Sequence, residues 1–279
     1  MRIPLRLHLD YGVDASKALE ALNTCINEAK NLPGKVSRGT LNPAADADYL
    51  MKRQRGYAEW VEVTEMQLTN LTHDVEVLAV PYSQAYWEIL QLGPRTPRAV
   101  AVIEAEIRRQ IAGLEGLRDD LKRRLERARS APGHMAVLDT NVLLHHQLPD
   151  SVNWPEVIGQ PGVRVVIPLR VIEELDAKKY SESDKIRDRA RKRLPHLYKL
   201  VGAGGAPKEL GDYATIEVFI EPGPRVRPAD ADTEILETAR DLRRLTATDV
   251  TIVTGDTGMR LRAEAEGIPT ASMPTATAA

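Results

Sequence analysis

The sequence predicts an all-α N-terminal domain over residues 1–130, followed by an α/β domain over 135–270 whose parallel sheet is flanked by helices. Three observations point there. Up to the break SAPGHM at 130–135, apolar residues recur at intervals of three and four, the period of a helix with one buried face. Beyond that break, short β-rich runs alternate with helical segments, the pattern of a parallel sheet covered by helices. Four acids of the second part, Asp139, Glu174, Asp232 and Asp256, sit where apolar runs break off.

The N-terminal elements follow from spacing and punctuation. Residues 14–31 (DASKALEALNTCINEAKN) put Leu19, Leu22 and Ile26 on one face, with Asp14 placed to cap the helix and Pro33-Gly34 to end it. Residues 46–78 carry Leu50, Tyr57, Trp60, Val61, Thr64, Leu68, Leu71 and Val75 at helical spacing and read as one long helix. A shorter aromatic helix spans 83–92, between Pro81 and Gly93-Pro94. Trp60, Tyr82, Tyr86 and Trp87 read as core. After Pro97, a stripe of Val100, Ile103, Ile107, Ile111, Leu114, Leu117, Leu121 and Leu125 is weakened in its middle by Gly113 and Gly116. Such a seam serves an intramolecular bundle or a dimerising coiled coil. These helices are therefore the candidate surface for a homo-oligomer or a protein partner.

In the second part AVLD, RVVIP, TIEVFI and VTIVTG read as strands, and helical patterns follow Asn141, Leu169, Asp232 and Gly258. Residues 202–213 (GAGGAPKELGDY) read as a flexible loop, 221–230 (EPGPRVRPAD) as a stiffer proline-rich connection, and 271–279 as a flexible tail. GAGGAP is not a phosphate loop, since it lacks the Gly-Lys-Ser/Thr ending and a strand before it.

Composition narrows the classes. A single cysteine, Cys25, excludes an intramolecular disulfide and a zinc site of several thiolates, and suits a reducing cytoplasm. No apolar stretch approaches the ~20 residues needed to cross a bilayer, and the first residues lack the apolar core of a signal peptide. A cytoplasmic protein without membrane contact is expected. The net charge of −2 leaves nucleic-acid binding to local basic patches rather than to the whole molecule.

AVLD and VTIVTG read as buried central strands. Asp139 directly, and Asp256 three residues past Val253, come at their carboxyl ends, the edge where open α/β folds bind ligands. Glu174 lies in the helix after RVVIP, near enough to lean over the same edge. Asp232 opens the helix TEILETARDL and doubles as its N-cap. Singly, each acid is an ordinary cap or surface charge, although an acid straight after a buried strand, as at Asp139, is poor core design. Gathered together they repel and raise one another's pKa, which a fold sustains when a cation neutralises them. All the donors are oxygens, so that cation is Mg²⁺ or Mn²⁺ rather than zinc. Such an ion activates water and steadies charge on a phosphoryl group. Asn141 is placed to orient a carboxylate or a water, and Thr254 to hydrogen-bond Asp256.

The segments VLDTNVLL, IPLRVIEELDAKK, DTEILETA and IVTGDTGMRLRAEAEGI, in this order over residues 136–270, resemble the PIN domain, a metal-dependent nuclease fold. The resemblance covers about half of the chain and says nothing of residues 1–130. It implies that Asp139 in the D-x-N pattern, Glu174 before Leu175, Asp232 three residues before Ile235, and Asp256 closing T-x-D hold Mg²⁺ or Mn²⁺. It implies further that they cleave single-stranded or structured RNA by water attack, leaving a 5′-phosphate and a 3′-hydroxyl. All four positions are filled, as in an active member. Glu173, Asp230 and Asp176 are rivals in position, and the family register prefers Glu174 and Asp232.

Residues 178–193 form a basic run in which helical spacing brings Lys185, Arg189 and Lys192 or Arg193 to one side. This is either a solvated face linked to Asp184 and Asp188, or a surface that tracks RNA phosphates. His145-His146 read as a surface or partly packed pair, and Tyr180 alone is weak evidence for base stacking. Rival functions are the toxin of a toxin–antitoxin pair, a PIN-fold scaffold that binds RNA without cutting, and a flap-type DNA nuclease. The last normally carries more acids and a helical arch, which this sequence lacks.

Overall fold

The computed structural model describes residues 5–32, 43–202, 206–211, 213–221, 228 and 230–273. The chain divides into two compact units, Met1–Arg123 and Arg124–Ala279. Pro33-Gly34 and most of 221–230 lie outside the described residues.

The first unit is built from α1 (Ala15–Asn31), α2 (Pro43–Thr69), α3 (Val75–Leu78), α4 (Gln84–Leu90) and most of α5 (Ala99–Ala128). Asp14 caps α1, accepting from the Ser16 and Lys17 amides at 2.7 and 3.0 Å. The single helix predicted over 46–78 is two. Asp74 bonds its own turn instead: its amide donates to Thr72 Oγ1 and its carboxylate accepts from the Glu76 amide, both at 3.0 Å. Short polar side chains compete in this way with helical backbone bonds. The break also frees the Leu71 carbonyl to accept from the Asp10 amide at 2.9 Å.

Leu22, Ile26, Tyr57, Leu68, Ile89, Ile103 and Leu114 are buried. Of the α5 stripe, Ile103, Ile107, Leu114, Leu117, Leu121 and Leu125 are buried within the single chain, while Val100 and Ile111 are half-buried. Trp60 is buried and donates from Nε1 to the Cys25 carbonyl at 2.9 Å. Trp87 is not core: it is 57% exposed, stacked against the half-buried Tyr82 at 6.4 Å. One buried acid organises this unit. Glu106 accepts from Ser83 Oγ at 2.6 Å, Gln110 Nε2 at 2.8 Å and both Arg109 Nε and Nη2.

The second unit runs β1 (His134–Leu138), α6 (Thr140–His145), α7 (Trp154–Ile158), β2 (Val163–Pro168), α8 (Leu169–Ala177), α9 (Asp184–Val201), β3 (Lys208–Glu209), β4 (Ala214–Phe219), α10 (Ala231–Thr246), β5 (Val250–Val253), α11 (Thr257–Ala265) and β6 (Thr270–Ala271). Among the described residues the strands form one sheet in the order β3-β4-β2-β1-β5-β6. It is parallel except at β3, which pairs antiparallel with β4. β2 and β5 are Val/Ile-rich, and with β1 (HMAVL) they are buried along nearly their whole length, as strands covered on both faces must be.

Two expected coil segments contribute strands. Within 202–213, Gly211 and Tyr213 take positive φ and reverse the chain, which lays Lys208 and Glu209 along β4. At the start of the expected tail, Thr270 and Ala271 pair with Ile252 and Val253. The strand order puts the carboxyl end of β1, where Asp139 stands, at the centre of the sheet. The chain steps outward from β1 to β2 and β4, then returns to place β5 on the other side of β1. The carboxyl ends of β1 and β5 are therefore the switch point where such sheets leave a crevice.

A charged cluster is buried on the sheet. Arg164 on β2 and Glu217 on β4, 1% and 0% exposed, pair with each other, and Arg127 of α5 pairs with the same carboxylate. Arg164 also donates to the Arg127 carbonyl at 3.2 Å and to Ser130 Oγ at 3.1 Å. The last turn of α5 is thus bonded to the sheet, and the division between the two compact units falls at Arg123 and Arg124, inside that helix.

Candidate functional site

Asp139 continues β1 by one residue. Its amide donates to the Val253 carbonyl of β5 at 3.1 Å, so its backbone is still in the ladder, and its side chain caps α6. The residue is 3% exposed. Oδ2 accepts from Thr254 Oγ1 at 2.7 Å, and Oδ1 accepts a longer bond from the Asn141 amide at 3.4 Å. Burial raises its pKa above the ordinary aspartate value, the Thr254 and Asn141 bonds pull it back, and the charge of Asp232 raises it again.

Thr254 is fully buried at the end of β5 and serves two acids. Its hydroxyl donates to Asp139 and accepts from the Asp256 backbone amide at 3.0 Å. The expected bond to the Asp256 carboxylate is not formed; that carboxylate caps α11, accepting from the Met259 amide at 3.0 Å. Asn141 reaches Asp139 by its backbone, and its side chain is exposed.

Glu174 comes from the middle of α8. Its Oε2 accepts from Thr140 Oγ1 at 2.6 Å, and Lys178 Nζ stands 4.0 Å from its other oxygen. Its neighbours turn elsewhere: Glu173 lies 3.8 Å from Arg170, and Asp176 pairs with Lys179.

The N-cap of α10 is Asp230, not Asp232. Asp230 immediately precedes the first helical residue and accepts from Thr233 N and Oγ1 at 2.8 and 2.7 Å. Asp232, inside the first turn, is left out of the cap and pairs with Arg262 of α11.

Thr140 and Thr254 thus tie Glu174, Asp139 and the Asp256 backbone together, with Asp232 within Coulomb range of Asp139. Among the described residues no three acids, histidines or cysteines converge closely enough to grip a metal ion. Arg262 pairs with Asp232, and Lys178 stands 4.0 Å from Glu174. Sequence reasoning missed Thr140 and Arg262. Thr140 had a signal, a hydroxyl beside Asp139, whereas Arg262 had none until α11 was folded against α10.

A mostly parallel sheet whose strand order reverses beside β1, with Asp139 at that carboxyl edge, defines an α/β protein of the kind that binds its ligand there. The family model of the PIN domain matches residues 136–274, and this part of the chain belongs to the PIN-domain family. PIN domains are typically nucleases and generally use divalent metals. No curated protein matches the chain.

Proposed function

We propose that the chain is a Mg²⁺- or Mn²⁺-dependent endoribonuclease whose ligands are Asp139, Glu174, Asp232 and Asp256. The observation that carries this is Asp139: a buried carboxylate within Coulomb range of Asp232, with a hydroxyl and an amide as bonding partners and, among the described residues, no cationic side chain paired with it. Ionising such a group is costly unless a cation arrives. The donor set is all oxygen and fits a hard divalent ion. An ion there would acidify water and offset charge on the phosphoryl group being transferred.

The chain's own residues do the positioning. Thr254 holds Asp139 through Oδ2 and leaves its other oxygen only weakly engaged. Thr140 aims Glu174 toward α6. Asp232, paired here with Arg262, would serve as a further ligand to such an ion, and Arg262, which also lies 3.9 Å from Asp230, keeps a guanidinium donor beside that edge. The basic face of α9, with Lys185, Arg189, Lys192 and Arg193, attracts the RNA strand.

Asp139→Asn is expected to abolish cleavage of a single-stranded RNA at matched Mn²⁺, by at least two orders of magnitude (roughly 10² or more). Cleavage at the parent rate would refute the assignment. The non-cutting scaffold has one observation in its favour, the Arg262–Asp232 pair. It predicts RNA retention insensitive to EDTA and no cleavage products.

A further inference from the structure

Three cations of α9 act on one histidine, His145. Lys185, Arg189 and Arg193 follow one another at intervals of four residues and share a face of the helix. Arg189 Nη1 donates to His145 Nδ1 at 2.9 Å, and Arg193 Nη1 donates to the Leu143 carbonyl at 2.7 Å. Both arginines are thereby pinned to α6, the helix that Asp139 caps. Burial lowers the His145 pKa, and the charges of Arg189, Arg193 and Lys185 lower it further. Among the described residues none of the three cations forms an ion pair with a carboxylate: Asp184 is taken by Arg187, and Asp188 pairs with none of them.

The direction of one hydrogen bond defines a further donor. A guanidinium keeps its protons and accepts nothing, so His145 Nδ1 must be the acceptor. The ring is neutral, its hydrogen is on Nε2, and the residue is exposed. The next residue locates the cluster in the fold. His146 Nε2 lies so near Gly255 that a Cβ there would stand 3.3 Å from it. Gly255 separates Thr254 from Asp256, so the basic cluster borders the acidic edge.

We propose that Lys185, Arg189, Arg193 and His145 form a phosphate-binding site that holds one backbone phosphate of a single-stranded RNA beside the acidic edge. The cations supply attraction, the two guanidinium groups fix geometry, and His145 adds a neutral donor. Contacts of this kind position a strand without reading its bases. The role of the site beside a reacting phosphate rests on the nuclease reading; the binding itself does not.

The test is salt-dependent binding of fluorescein-labelled decauridylate to the full chain in EDTA, read by anisotropy. Lys185→Gln and Arg189→Gln are each expected to weaken binding on the order of 3–10-fold at 0.1 M salt and to flatten the log–log salt slope by about 0.7. Arg191→Gln removes the same charge from the opposite face and is expected to change neither. His145→Phe weakens binding at unchanged slope, and a changed slope there would contradict the neutral donor. Parent-like binding by the Lys185 and Arg189 variants, or an equal loss from Arg191→Gln, overturns the site. Lys185 and Arg189 are outside the core, and circular dichroism checks that each variant is folded. A chain that binds through this cluster yet never cuts with Mn²⁺ sinks the nuclease reading alone. One that cuts while its binding ignores Arg189 and Lys185 sinks the phosphate site alone.

Discussion

A buried acid with a raised pKa works against its own fold. For Asp139, burial favours the protonated form in the folded chain. Its contribution to stability is fully present below the unfolded aspartate value, about 3.9, and is lost as pH rises through the raised folded value. At neutral pH the ionised group is therefore destabilising in the absence of metal. Asp139→Asn is expected to raise the melting temperature of the metal-free chain by roughly 2–4 °C. Added Mn²⁺ should then stabilise the parent and leave the variant unmoved. A lower melting temperature for the variant would show that the carboxylate serves the fold. Thr254 gives a complementary prediction. Thr254→Val removes the hydroxyl shared by Asp139 and the Asp256 amide, so cleavage should fall roughly 10–100-fold while Mn²⁺-induced stabilisation weakens in parallel.

At the scale of elements, the strands that carry the site were the legible part. β1, β2, β4 and β5 are long apolar runs because both faces are covered, and Asp139 stands out because it ends one of them. β3 and β6 were not legible, since two residues have no period to read and each exists only by pairing with a neighbour distant in sequence. The choice of cap at α10 was a matter of one register step, settled by Thr233 bonding Asp230. Glu217 was the missed signal within TIEVFI: a charge in the middle of a buried strand needs a partner, and the partner is Arg164. Arg164→Met should cost about 3 kcal/mol in urea denaturation, because the fully buried Glu217 carboxylate then keeps Arg127 as its one remaining ion-pair partner among the described residues. Adding Glu217→Leu should recover most of that loss, and failure to do so would mean that packing at position 164, not charge, sets the cost.

Across the molecule, the two units carry different acid sensitivities. Burial alone would raise the Glu106 pKa, but the bonds from Arg109, Ser83 and Gln110 outweigh it and the value is lowered. A depressed acid gives stability that is present above its unfolded value, about 4.3, and is lost as pH falls toward the folded value. Glu106→Gln should accordingly flatten the acid limb of helix loss, followed by circular dichroism below about pH 4.3, while lowering stability at pH 7. Among the described residues no helix is long and apolar enough to cross a membrane.

The last turn of α5 has a consequence for heredity and for dissection alike. The family match starts at residue 136, yet the compact unit starts at Arg124, and the residues between them hold Arg164 and Glu217 in place. A gene segment copied at the start of the family match would leave two buried charges without Arg127, Ser130 and the helix-end carbonyls. The modular piece that recombination can move intact is therefore the nuclease-type sheet together with its helical stub.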